Sequence, residues 1–270
     1  MKNIVKGLVP PILLTFLRKL RRSKAIRIEG SYSSWNEATK NSFGYDSQII
    51  LDKVLDSTLK VQRGEAVYER DSTIFDQIQY SWPVTAGLML SAASNKGELS
   101  VLDFGGSLGS SYFQNQKFLE KLPSVKWSVV EQTNFVEKGK EFIQNEKIKF
   151  YNTIDECMIA EKPNVALFSS VLQYLEDPYE VLESIMKLNF EYVILDRTPF
   201  LNENNDDQIK IQVTPESIYQ ANYPIRFFNK SNFTKIFKTH GYKIDIEFES
   251  LDKISPLATW EGMIISCIKT

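Results

Sequence analysis

The sequence predicts a doubly wound α/β fold: a mostly parallel seven-stranded sheet with helices on both faces, preceded by an N-terminal helical extension. Three observations predict it. Short apolar runs alternate with amphipathic stretches from residue 97 to residue 270. The first run, Val101-Leu102-Asp103-Phe104, breaks into the glycine-rich turn Gly105-Gly106-Ser107-Leu108-Gly109-Ser110. The second, Lys126-Trp127-Ser128-Val129-Val130, ends on Glu131, spaced from Asp103 as a strand, helix, strand unit requires. At 270 residues and 43% apolar composition the chain can bury such a core. A formal net charge of −2 gives no global argument for nucleic acid. Cys157 and Cys267 stand at no metal or redox-motif spacing, so no metal site is expected and a reducing cytoplasm is the simplest compartment.

Residues 1–30 form a basic, amphipathic segment. Eight cationic side chains from Lys2 to Arg27 precede the first acid, Glu29, among Ile4, Leu8, Ile12, Leu13, Phe16, Leu17 and Leu20. The apolar stretch is too short to span a bilayer, where about 20 residues are needed, and Pro10-Pro11 would interrupt a helix there. A cleaved leader is disfavoured, because the basic cluster follows the apolar stretch. The segment suits peripheral docking on an anionic membrane surface, at the inner face of the cytoplasmic membrane; packing on the core with its basic end solvated is the competing reading.

Residues 31–96 read as a helical lid or substrate layer. Ser31-Tyr32-Ser33-Ser34 leads into a helix, with Ser34 and Glu37 at capping-box spacing. Glu69, Arg70 and Asp71, with Tyr80 and Trp82, are candidates for the acceptor side, although aromatic residues here serve equally as core packing.

From residue 97 the sheet begins. A dinucleotide fingerprint would need glycine at positions 107 and 110, where Ser107 and Ser110 stand. The acidic-x-Gly-x-x-x-Gly arrangement of Asp103, Gly105 and Gly109 instead resembles motif I of class I S-adenosylmethionine-dependent methyltransferases, with Ser107 where many members have glycine. That resemblance implies S-adenosylmethionine as cofactor, held by Asp103, Gly105, Gly106, Ser107 and Gly109. Glu131 at the tip of the second strand can accept hydrogen bonds from both ribose hydroxyls. A third strand is expected at 149–151, and the run 165–175 reads as a buried fourth strand, a small polar turn and an apolar helix start, whose loop, with Ser169 and Ser170, should cover the cofactor. The fifth, 191–200, carries Asp196 and Arg197 near its carboxyl end. Residues 242–248 and 262–268 supply strands six and seven, the seventh antiparallel in the methyltransferase fold. Residues 201–230 interrupt the path after the fifth strand as a polar and aromatic flap with Tyr219, Tyr223 and Arg226. His240-Gly241 reads as a helix C-terminus and hence as structural.

The strings Val67-Tyr68-Glu69-Arg70-Asp71-Ser72, Tyr80-Ser81-Trp82-Pro83, Leu102 to Tyr112, Val130-Glu131-Gln132, Phe168 to Leu175 and Asp196-Arg197-Thr198-Pro199-Phe200 together resemble a family of bacterial methyltransferases associated with surface-polysaccharide gene clusters. The resemblance implies methyl transfer to a glycan or glycan precursor, with Gln132 beside Glu131 in the cofactor site. The sulfonium methyl is already electrophilic, so the protein has only to align an acceptor and take its proton. Asp196, Glu69, Asp71 and Tyr174 are the candidate bases. Arg70, Tyr80, Trp82, Arg197, Tyr223 and Arg226 are the candidate acceptor contacts, and Arg197 can grip an anionic group unless it pairs with Asp196. The alternative is a protein of polysaccharide assembly that keeps the cofactor fold without catalysis or with other chemistry.

Overall fold

The structure is a computed structural model that describes residues 26–43, 47–203, 205–216, 218, 221–252 and 254–268. Most of the predicted basic N-terminal segment, and Tyr219, lie outside the described residues. In chain order the elements are β1 (Arg27–Tyr32), α1 (Trp35–Lys40), α2 (Ser47–Gln62), β2 (Tyr68–Arg70), β3 (Thr73–Phe75), α3 (Trp82–Ser94), β4 (Glu98–Phe104), α4 (Ser110–Leu119), β5 (Ser124–Val130), α5 (Thr133–Phe142), β6 (Ile148–Tyr151), α6 (Ile154–Glu161), β7 (Val165–Ser169), α7 (Pro178–Lys187), β8 (Tyr192–Leu201), β9 (Gln208–Thr214), β10 (Ala221–Phe227), α8 (Lys230–Thr239), β11 (Tyr242–Glu249) and β12 (Ala258–Cys267). Among the described residues no helix is long and apolar enough to cross a membrane.

Seven strands form one sheet in the order β11-β12-β8-β7-β4-β5-β6. The four pairings from β8 to β6 are parallel, and β12 runs antiparallel to both neighbours. This is the Rossmann-like class I methyltransferase topology, and the strand expected to be antiparallel is the one that is. The strands are apolar on both faces because each face is covered. In β8, Ile194 joins one core with Val101, Leu167, Val84 and Leu88, while Val193 and Leu195 join the other with Leu102, Phe168, Leu182 and Phe233. That division is the two-residue period of a strand, and it puts α3, α4 and α5 on one face and α6, α7 and α8 on the other.

Two smaller sheets sit outside this frame. β1, β9 and β10 form an antiparallel sheet in that order, and β2 and β3 pair as a hairpin. The N-terminal stretch therefore mixes strands with helices, and Ser31-Tyr32, expected as loop, closes β1. Ser34 caps α1 as predicted, its hydroxyl accepting from the Glu37 N–H, but the Glu37 carboxylate returns to the N–H and hydroxyl of Ser33, one residue earlier than a capping box would have it. His240 ends α8, its Nδ1 against the Ile236 carbonyl, with Gly241 left-handed at φ +74°.

At the amino end of the sheet Glu161 is buried and accepts hydrogen bonds from Lys149 (2.7 Å) and Tyr151 (2.8 Å), with Lys126 at 3.2 Å. Burial alone would raise its pKa, but the bonds from Lys149, Tyr151 and Lys126 outweigh it and hold it down at about 2. The depressed value means that stability is present above the ordinary glutamate pKa and is lost as pH falls from there toward 2. Glu161→Gln should cost about 1–2 kcal/mol at neutral pH, the two lysines being half-exposed, and the difference from wild type should vanish in acid urea melts.

Candidate active site

The glycine turn after β4 passes over the Asp103 side chain. Asp103 is fully buried; its Oδ2 accepts from the Trp127 indole N–H at 2.9 Å, and its Oδ1 has no hydrogen-bond partner among the described residues. Burial raises its pKa to about 7, against the bond from Trp127. A Cβ at Gly106 would lie 2.5 Å from the Asp103 carboxyl, so residue 106 has to be glycine for want of space. Gly105 combines a close approach to Val171 with φ +66°. Ser107 takes φ +55° as well, which explains why glycine is common at that position and marks the loop as locally strained. Gly106→Ala should lower stability by about 1–3 kcal/mol in thermal melts and weaken whatever the loop holds, because neither the turn nor the buried carboxylate has room to yield.

Beside this turn, at the carboxyl ends of β4, β5, β6 and β7, opens a cleft of about 890 Å³. Its floor includes Gly105, Glu131, Gln132 and Ser170, and its roof includes Trp35, Phe43, Asn222 and Tyr223 from α1, the chain after it and β10. The Asn222 side chain accepts from the Phe43 N–H, and the Asn222 N–H donates to the Phe43 carbonyl, so the roof is tied together at its rim. Glu131 accepts from the N–H groups of Gln132 (2.6 Å) and Ser107, which links the second strand tip to the glycine turn. Burial raises its pKa, and those two N–H bonds oppose the shift.

A second, much smaller cavity of about 20 Å³ adjoins it across the tip of β7, where Ser170 faces the cleft and Ser169 faces the cavity. Asp196 and Arg197 both line it, although consecutive residues of a regular strand face opposite ways. A β-bulge in the β8–β12 pairing between Glu261 and Met263 explains this, and Arg197 takes φ +56° there. Asp196 and Arg197 do not close on one another. The Asp196 carboxylate accepts from Ser250 Oγ at 2.8 Å and from Ser169 Oγ at 3.4 Å, and burial raises its pKa. The Arg197 side chain donates to Asp71 at 2.8 Å and to Ser169 at 3.3 Å, with Asp252 at 3.6 Å. Asp252 also meets Arg70 at 3.5 Å. Gln173, fully buried, donates to Ser170 Oγ and to the Arg197 carbonyl, holding two left-handed residues in place.

The predicted residues divide accordingly. Gly105, Glu131, Gln132, Ser170 and Tyr223 line the cleft; Asp103, Gly106, Ser107 and Gly109 build the turn beneath it; Ser169, Asp196, Arg197 and Arg70 line the small cavity. Glu69 is buried behind that cavity, accepting from Ser110 Oγ at 2.6 Å and the Ser72 N–H at 2.9 Å, with its pKa raised to about 7 by burial against those bonds. Tyr174 lines the cleft, its hydroxyl donates to Gln212, and burial pushes its pKa well above the usual phenol value, which favours the neutral phenol. Asp71 is committed to Arg197. Arg226 points into the roof, over the Trp35 ring and onto the Glu176 carbonyl. Tyr80 and Trp82 stack 4.8 Å apart against Phe118 and line neither cavity. The sequence reading missed Ser250 and Asp252, in the β11–β12 connection, and Gln173, whose signal was an amide inside an otherwise apolar run.

No family model and no curated protein matches the chain. Among solved structures it is similar to the N-terminal domain of EvdMO1 in the presence of SAH and D-fucose, at 10% identity over 75% of this chain and 90% of that one, TM-score 0.49. It is also similar to an S-adenosylmethionine-dependent methyltransferase from Clostridium acetobutylicum ATCC 824, at 10% identity over 82% and 99%, TM-score 0.48. A third is magnesium protoporphyrin IX methyltransferase (ChlM) from Synechocystis PCC 6803 with bound SAM, at 13% identity over 83% and 98%, TM-score 0.46.

Proposed function

We propose that the chain is an S-adenosylmethionine-dependent methyltransferase that acts on a hydroxyl of a bacterial cell-surface saccharide or its precursor. The observation that carries the reading is the placement of Glu131 in a cleft of about 890 Å³ at the carboxyl strand ends, next to a glycine turn with no room for a Cβ. The residues fit this cofactor. Glu131 offers carboxylate oxygens to a ribose, Gly105 leaves the backbone open to close approach, and the buried unpaired oxygen of Asp103 favours a cationic neighbour. When bound, the cofactor supplies a methyl group on a sulfonium, already activated for transfer to a nucleophile.

The chain's own contribution is then alignment and proton acceptance. Asp196 lines the cavity beside the cleft and is oriented by Ser250, so an acceptor hydroxyl placed there can pass its proton to the carboxylate. Ser169 bonds both Asp196 and Arg197 and fixes their spacing. Trp35, Phe43 and Tyr223 offer ring faces and Asn222 and Gln132 offer amides, a mixture that suits a sugar. The basic segment at residues 1–30 supports docking of the enzyme on an anionic membrane surface. Calorimetric titration with S-adenosylhomocysteine is the test: micromolar binding supports the reading, and no binding by a folded protein overturns it.

A further inference from the structure

We propose that the acceptor carries a carboxylate, and that it binds by taking the place of Asp71 on Arg197; this rests on the methyl-transfer reading of the site. Arg197 is a buried cation, its side chain only 11% exposed, and its close carboxylate comes from a residue whose side chain is 62% exposed. Asp252 stands farther away and is shared with Arg70. Asp71 is thus a tethered anion on a buried fork, held from outside.

The tether is a turn on an anchored hairpin: Tyr68 and Glu69 are buried, with Glu69 held by Ser110, so the part that can give way is Asp71 itself. β2 and β3 are three residues each and pair only with one another, and the turn between them puts two successive non-glycine residues, Asp71 and Ser72, at φ +51° and +63°. The cavity at Asp196 is about 20 Å³, too small for a sugar ring, and Arg70 lines it beside Arg197, so an acceptor that reaches Asp196 has to displace side chains of its wall. Withdrawal of Asp71 would take from Arg197 its closest carboxylate, leaving Asp252 at 3.6 Å, shared with Arg70, and Asp196, which is held by Ser250 and Ser169. A neutral acceptor returns no anion to the fork, whereas a carboxylate replaces Asp71 charge for charge and matches the guanidinium geometry.

The experiment titrates the protein, saturated with S-adenosylhomocysteine, with D-glucuronate, D-glucose and D-glucose 1-phosphate as probes. Glucuronate should bind with glucose showing no measurable affinity, and Asp71→Asn, which tolerates the left-handed turn, should tighten glucuronate binding about tenfold by removing the internal competitor. Unchanged glucuronate affinity in Asp71→Asn, or glucose binding as well as glucuronate, would overturn the proposal. Preference for the phosphate sugar would overturn the carboxylate in favour of a phosphoryl group. Failure of S-adenosylhomocysteine to bind shows in the first titration, and removes the reading of the cofactor site rather than the exchange at Arg197.

Discussion

Glu131→Ala will weaken S-adenosylhomocysteine binding about 100-fold in a protein that still folds. Two hydrogen bonds from ribose hydroxyls to a carboxylate are worth about 1.5 kcal/mol each, or roughly 3 kcal/mol together, which is a factor of about 100. The side chain lies at a strand tip on the floor of the cleft, so its loss opens no core cavity. The sign of the pH dependence follows from its raised pKa: the carboxylate is the better acceptor, so wild-type affinity falls as the medium is acidified through that value, and the alanine variant shows no such slope. Calorimetry across a pH series checks both, and equal affinity in the two proteins would place the ribose elsewhere.

Asp196→Asn will lower the rate of methyl transfer to a saccharide hydroxyl roughly 100- to 10,000-fold with cofactor affinity intact, as expected for loss of a general base. The amide keeps the volume and can still accept from Ser250, so the loss falls on proton acceptance rather than on shape. Burial raises the Asp196 pKa, so wild-type turnover falls as pH drops through that raised value. Release of S-adenosylhomocysteine, followed with and without acceptor, separates this effect from cofactor binding; turnover retained in the variant would move the role to Glu69.

The central sheet was legible because strands buried on both faces are short apolar runs with little else in them, as Val165-Ala166-Leu167-Phe168 shows. The position of Glu131 in the cleft was legible because the residue closing an apolar strand sits at the strand tip, where the cleft opens. The roof was hidden. β1 is exposed along most of its length and β9 mixes glutamine and lysine with its apolar residues, so neither shows clean alternation. The β8 bulge that turns Asp196 and Arg197 to the same side depends on its pairing with β12, and Ser250 and Asp252 reach the site through a connection with no pattern of its own. Where the sequence suggested an Asp196–Arg197 ion pair as one option, tertiary partners claim both groups.

The roof sheet joins Arg27 of β1 to Val213 of β9, so five of the seven strands of the central sheet, β4 to β8, lie between two strands that must meet. Closing so long a loop is entropically costly unless the intervening chain has already condensed. During synthesis β1 leaves the ribosome first and has to wait, an unpaired edge, until β9 follows it out. The cleft therefore acquires its cover only after β4 to β8, which carry its floor, have emerged, while β11 and β12 still have to follow.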